Sequence, residues 1–157
     1  VQTCALPISV GRLDKDSEGL LLLTTDGKVS NLVTSRKVQK EYYAQVDGDI
    51  SEEAVRMLET GVEIGVDGQK YLTKADKAFK IEPKPDFPPR IKKIRDERHG
   101  PTSWVSLSIS EGKFRQVRKM TAAVGFPTLR LIRVRIGNIH LGNLKAGDFT
   151  EVENFDI

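Results

Sequence analysis

Within Leu129 to Ile136, apolar and charged residues alternate strictly from Ile132 onward, the period of an extended strand. Ile132, Val134 and Ile136 fall to one side and Arg133 and Arg135 to the other. A helix would scatter the same residues around its circumference. The expectation is a strand apolar below and basic above, suited to lining a cleft. Trp104 to Ile109 alternates likewise, setting Trp104, Ser106 and Ser108 against Val105, Leu107 and Ile109. Between these strands, from Phe114 to Val124, the period is helical. Phe114, Val117, Thr121 and Val124 share one face, and Arg115, Arg118 and Lys119 lie toward another. Gly125 stops that helix and Pro127 follows it.

The first half of the chain reads in the same way. Leu20 to Thr24 is an apolar run suited to a buried strand, closed by the Asp26-Gly27 turn. Lys28 to Thr34 makes a short helix with Val29, Leu32 and Val33 inward, and Glu41 to Val46 is a strand ending at Asp47-Gly48. Ser51 is an N-cap, and Glu52 and Glu53 favour the positive end of the helix that follows. Ala54, Val55 and Leu58 form its apolar side and Gly61 ends it. Val62 to Ile81 is a small antiparallel excursion. Glu82 to Pro101 carries five prolines and the basic run Arg90 to Arg98, marking a loop at a subdomain edge. Strands and helices mix without a regular βαβ rhythm. The fold class is therefore α+β, a mixed and largely antiparallel sheet with flanking helices.

Composition bounds this picture. A chain of 157 residues with 38% hydrophobic residues suits one domain, or two small subdomains sharing a sheet. No apolar run approaches the roughly 20 residues a membrane helix needs, so no membrane partner is expected. The net charge of +3 is mild, but the basic residues cluster late. Cys4 is the sole cysteine, and His99 and His140 lie far apart, so neither an internal disulfide nor a structural zinc site is expected. Residues Val1 to Ile8, with Ser9 at the join, match the conceptual translation of a common sequencing adapter. A foreign leader over 1–9 is expected, with native sequence from near Val10, no native cysteine, and an N-terminal truncation.

Three segments carry chemistry. In GRLDKDSEGLLLL, Gly11 and Gly19 bracket a polar loop that holds Asp14 at the edge of a rigid element, with Arg12 nearby favouring an ionised carboxylate. Such a carboxylate can act as a nucleophile or base. The same spacing also describes an ordinary turn capped by Asp14 and Asp16. In EGKFRQVRKM, Glu111 to Met120, glycine precedes a helix whose Arg115, Arg118 and Lys119 suit a polyanion or simply face solvent. In KEYY, Lys40 to Tyr43, alternation puts the two tyrosines on opposite faces, so at most one faces a given cleft.

In this order the three segments resemble the RsuA/RluB/RluE family of pseudouridine synthases, closest to its E-type branch. The carriers are GRLDKDSEGL from Gly11, KEY from Lys40 and EGKFRQVRKM from Glu111. The stretch Pro101 to Gly137 and the tail LGNLKAGDFTEV continue the likeness, which spans Val10 to Val152 as one catalytic domain and leaves 153–157 as a tail. The resemblance implies isomerisation of a uridine in ribosomal RNA, of the large subunit (23S), with no cofactor or metal. A cytoplasmic, monomeric, bacterial-type enzyme is expected.

The resemblance also implies roles. Asp14 is the catalytic aspartate and Arg118 its ion-pair partner. Tyr42 stacks on the uracil and assists proton removal from C5. Arg12 holds the motif loop and the extruded nucleotide. Lys40, Lys113, Arg115 and Lys119 lie near the RNA backbone. Arg90, Lys92 and Lys93 of the basic loop, with Arg133 and Arg135, supply phosphate affinity. Lys113 and Lys119 stand where arginine is common in the family, and Phe114 where smaller or polar residues sit. Two other classes are weighed: a non-catalytic RNA-binding or ribosome-assembly module, and a glycosidase using Asp14 and Asp16. Residues two apart on one strand share a face, which gives the glycosidase no separate acid and base environments.

Overall fold

The computed structural model describes residues 6–35 and 37–157. In chain order the elements are β1 (Ile8–Val10), β2 (Glu18–Gly19), β3 (Leu22–Thr24), α1 (Gly27–Ser35), β4 (Lys40–Asp47) and α2 (Glu52–Thr60). There follow β5 (Val62–Val66), β6 (Gln69–Thr73), β7 (Lys77–Lys80), a 3₁₀ turn (Glu97–His99), β8 (Thr102–Ile109), α3 (Gln116–Ala123), β9 (Thr128–Ile136) and β10 (Ile139–His140). The central sheet runs β10-β9-β4-β8-β7 and is antiparallel, except that short β2 joins β9 in parallel. β1 pairs with β3 and β5 with β6 as separate ribbons. The molecule is α+β, as its mixture of short strands and helices implies.

The apolar face of the central sheet, built on Ala44, Val46, Val105, Leu107, Ile109 and Leu131, packs against Leu58 of α2 and Val117 and Met120 of α3. A smaller cluster of Val10, Leu20, Leu22, Val33, Val38 and Ile136 lies beneath the first ribbon. Local chemistry explains the frame between them. Ser51 caps α2 by accepting the Ala54 N–H at 3.2 Å, and the Gly61 N–H closes its far end on the Met57 carbonyl. Asp67 and Gly68, both at positive φ, turn the β5–β6 hairpin.

Four local readings are corrected. The Leu20–Thr24 run is only half-buried: Leu20 and Leu22 point inward, whereas Leu21 and Leu23 are exposed on the two-stranded ribbon. In α1, Val33 is buried and Val29 packs beside it, but Leu32 lies outside. Phe114 does not join the inner face of α3, because Arg115 takes a left-handed φ of 51° and the helix begins only at Gln116. Finally, Arg133 and Arg135 do not share a face. Arg133 opposes Tyr42 and Arg135 opposes Glu41, so Val134 is an extra residue in the ladder. That bulge resets the alternation and sends the two arginines to opposite sides.

Of the leader expected at 1–9, residues 1–5 lie outside the described residues, while Ile8 and Ser9 pair with Thr24 and Leu23. Among the described residues no helix is long and apolar enough to cross a membrane.

Candidate active site

The loop from Gly11 to Gly19 is pinned to β9 from behind. Gly19, at φ 107°, lies so close to Arg133 that a Cβ would overlap that residue's backbone. The buried Arg133 side chain then grips both ends of the loop, donating from Nε to the Leu20 carbonyl at 2.8 Å and from Nη1 to the Arg12 carbonyl at 3.2 Å. The Leu20 N–H donates in return to the Arg133 carbonyl at 2.8 Å. Within the loop the Ser17 N–H closes a turn on the Asp14 carbonyl at 2.9 Å.

From the front, Arg115 at the N-cap of α3 and Arg118 within α3 supply two more cations. Arg115 grips the Asp16 carboxylate through two bonds of 2.9 Å, in the bidentate geometry that suits a guanidinium. Arg118 donates to the Asp16 carbonyl at 3.0 Å and to Ser17 Oγ at 3.2 Å. The Arg115 hydrogen bonds, aided by the charge of Arg118, hold the Asp16 carboxyl down at about 2 against a smaller opposing effect of burial. Burial draws Arg118 below the usual arginine range, and Asp16 and Asp14 pull it back. Asp14, 30% exposed at its side chain, has Arg115 Nη1 at 3.8 Å.

The cation nearest Asp14 is thus Arg115, and neither Arg118 nor Arg12 stands in direct ion-pair contact with it. Arg12 is exposed, and its carbonyl rather than its guanidinium ties it to the fold. Tyr42 lies on the same side of the sheet as Arg133, its register partner, and packs against the main core. Tyr43 faces the other way, edge-on to Phe87 with ring centroids 6.1 Å apart. Lys40 shares the side of Tyr42. Burial first, and then the charge of Arg133, lowers its pKa from the ordinary lysine value.

The remaining basic residues divide into exposed and committed groups. Lys92 and Lys93 are exposed. Lys113 lies 5.2 Å from the Tyr71 ring, and Lys119 donates to the Gly65 carbonyl at 2.6 Å. Arg135 is committed on the opposite face, to Glu41, Gln39 and the Gly137 carbonyl. Arg90 folds back over the motif loop, bonding the Asp16 carbonyl at 3.3 Å and pairing with Glu18 at 3.2 Å. Glu18 also takes Arg130 in two bonds of 2.8 and 2.9 Å. Beneath this strap lies a cleft of about 750 Å³ lined by Lys84, Arg90, Lys93, Arg95 and Arg130.

Glu18 and Glu111 are organising residues that carry no role in the sequence motifs, and Asp16, read from the sequence as a turn cap, proves to be the anchor of Arg115. Asp14, Asp16 and Glu18 recur at every second position, but the turn closed between Asp14 and Ser17 gives each carboxylate its own surroundings. Glu111 accepts Tyr71 and Thr73, each at 2.6 Å, and Gln116 extends that network by donating to Thr73 at 2.8 Å. The network fixes the turn from which Arg115 departs. The whole arrangement presents a solvent-reaching carboxylate on a loop clamped from both sides, flanked by guanidiniums. Such a group can attack, or draw charge from, a reactant that is brought to it.

A family model described as RNA pseudouridylate synthase matches residues 5–123, and the chain belongs to that family. Within it, the chain is 41% identical over 147 residues to a ribosomal large subunit pseudouridine synthase E of Vibrio parahaemolyticus, covering 92% of this chain and 60% of that protein. It is 44% identical over 138 residues to a protein of the same name from Xanthomonas axonopodis pv. citri, covering 87% of this chain and 70% of the relative. The chain thus spans 60 to 70% of the length of these two relatives. A crystal structure of a pseudouridylate synthase superposes with a TM-score of 0.64 at 31% identity, over 86% of this chain and 50% of the other.

Proposed function

We propose that this chain carries the catalytic centre of a pseudouridine synthase acting on a uridine of large-subunit ribosomal RNA in the cytoplasm, as a monomer. The observation that carries this reading is Asp14: a partly exposed carboxylate on a loop held by Arg133 behind and by Arg115 and Arg118 in front. The names of the Vibrio and Xanthomonas relatives support the substrate class.

The reaction breaks the C1′–N1 bond, turns the uracil and joins C1′ to C5; the proton on C5 passes to solvent and N1 takes one up, so the product is an isomer. A stacked uridine is out of reach, so the nucleotide must be extruded into the site. Asp14 then attacks C1′ or promotes loss of uracil through a glycal; both routes need its carboxylate. Tyr42 stacks on the uracil and assists removal of the C5 proton. Arg115 stands closer to Asp14 than Arg118 does, so we assign Arg118 to hold the loop backbone that aims Asp14. Arg12, Lys40, Arg90, Lys92, Lys93, Lys113, Arg115 and Lys119 contact the RNA, whereas Arg133 and Arg135 act from within the fold. The other carboxylates of the loop are already engaged, Asp16 by Arg115 and Glu18 by Arg130 and Arg90, which leaves Asp14 for this role.

Asp14→Asn keeps the shape and removes the charge. It should abolish tritium release from RNA labelled at C5 of uridine while leaving RNA affinity within about twofold, because phosphate contacts dominate binding. Full turnover in this variant would sink the assignment. An unaltered chain that binds RNA but releases no tritium would favour the non-catalytic module.

A further inference from the structure

Packing does not account for an aromatic at position 114. The inner face of α3 is filled by Val117, Met120 and Thr121, while Phe114 leaves 63% of its surface to solvent. Holding so much apolar area in water is unfavourable, and folding recovers little of it. The ring is nevertheless held. Lys119 Nζ lies 5.3 Å from its centroid, and that ammonium is anchored on the Gly65 carbonyl at 2.6 Å. On the next residue, the left-handed backbone of Arg115 lets the guanidinium reach Asp16 and Asp14 while the Phe114 ring stays outside. An exposed aromatic, fixed by a cation, therefore stands one residue from the side chain that touches Asp14.

We propose that Phe114 is a stacking platform for the base next to the uridine presented to Asp14, with Lys119 fixing the ring. This rests on the RNA reading above. Extruding a nucleotide strips its neighbour of a stacking partner, and an aromatic side chain replaces that partner. Every base has a π-face, so the platform sets the position of the strand rather than the identity of the flanking base. Phe114 is thereby a positioning residue, acting on the RNA beside the reacting nucleotide.

The test uses the full chain and a short single-stranded RNA with one uridine flanked on either side by 2-aminopurine, whose fluorescence falls on stacking. Binding to the unaltered chain should quench one of the two flanking positions. Phe114→Leu, which keeps apolar bulk without a π-face, should lose the quench, and Phe114→Trp should keep it. In turnover, Phe114→Leu should raise KM about tenfold with kcat nearly unchanged. An abasic residue at the quenched position should impose the same penalty on the unaltered chain and none further on the leucine variant. Equal behaviour of the leucine variant, or penalties that simply multiply, overturns the platform alone. An unaltered chain that neither binds RNA nor converts uridine overturns the RNA reading and the platform with it.

Discussion

Asp14 and Asp16 stand two residues apart in one loop and are treated oppositely by it. Asp16 accepts both arms of Arg115, whereas Asp14 meets that guanidinium only at 3.8 Å. The tied carboxylate stabilises the loop, and the other is the one to which the proposed chemistry is assigned. Its acidity makes the tie measurable. The folded Asp16 carboxyl sits at about 2, below its ordinary value of 3.8. Its contribution should therefore be fully present above about pH 4 and should disappear as pH falls through about 2. The melting temperature of the unaltered chain should exceed that of Asp16→Asn by a constant margin from neutral pH down to about pH 4, and the margin should shrink below it. A margin that narrowed on the alkaline side instead would rule out this pairing.

At the scale of elements, the Gly11–Gly19 loop and β9 form one unit. Gly19 and Gly11 both have positive φ, but only Gly19 has backbone where a Cβ would go. Gly11→Ala should cost about 1–2 kcal/mol, the strain of a left-handed residue. Gly19→Ala must also push the loop off Arg133, and should cost clearly more in urea unfolding than its partner. Equal costs would mean that the loop is not seated as described. Sequence patterns revealed the elements here better than their seating. The alternation of Trp104 to Ile109, the Ser51 cap and the Gly61 stop are local signals, and each matches its element. The bulge at Val134 escapes a period-two reading because nothing in TLRLIRVRI marks the extra residue. The left-handed Arg115 escapes it too, since arginine carries no sign of positive φ.

Across the whole molecule, the basic segment 82–101 is a strap rather than a linker. Arg90 reaches the motif loop, Arg95 pairs with Asp47 at the end of β4, and Glu18 joins Arg90 to Arg130. These partners are dozens of residues away in sequence, so composition discloses the charges but not the side chains they meet. Glu18→Gln keeps the shape and weakens both pairs. It should loosen the strap and speed tryptic cleavage after Arg90, Lys92 and Lys93 several-fold, an effect of local opening rather than global unfolding. An unchanged digestion rate would show that Glu18 does not hold the strap.

The grip of Arg133 on the motif loop has a consequence for redesign. Its acceptors are the carbonyl oxygens of Arg12 and Leu20, which every amino acid provides. Side chains at positions 12, 13 and 15 can therefore be randomised to seek new substrate preferences while the anchor under Asp14 stays in place, making this loop a library site whose scaffold does not depend on the letters being varied.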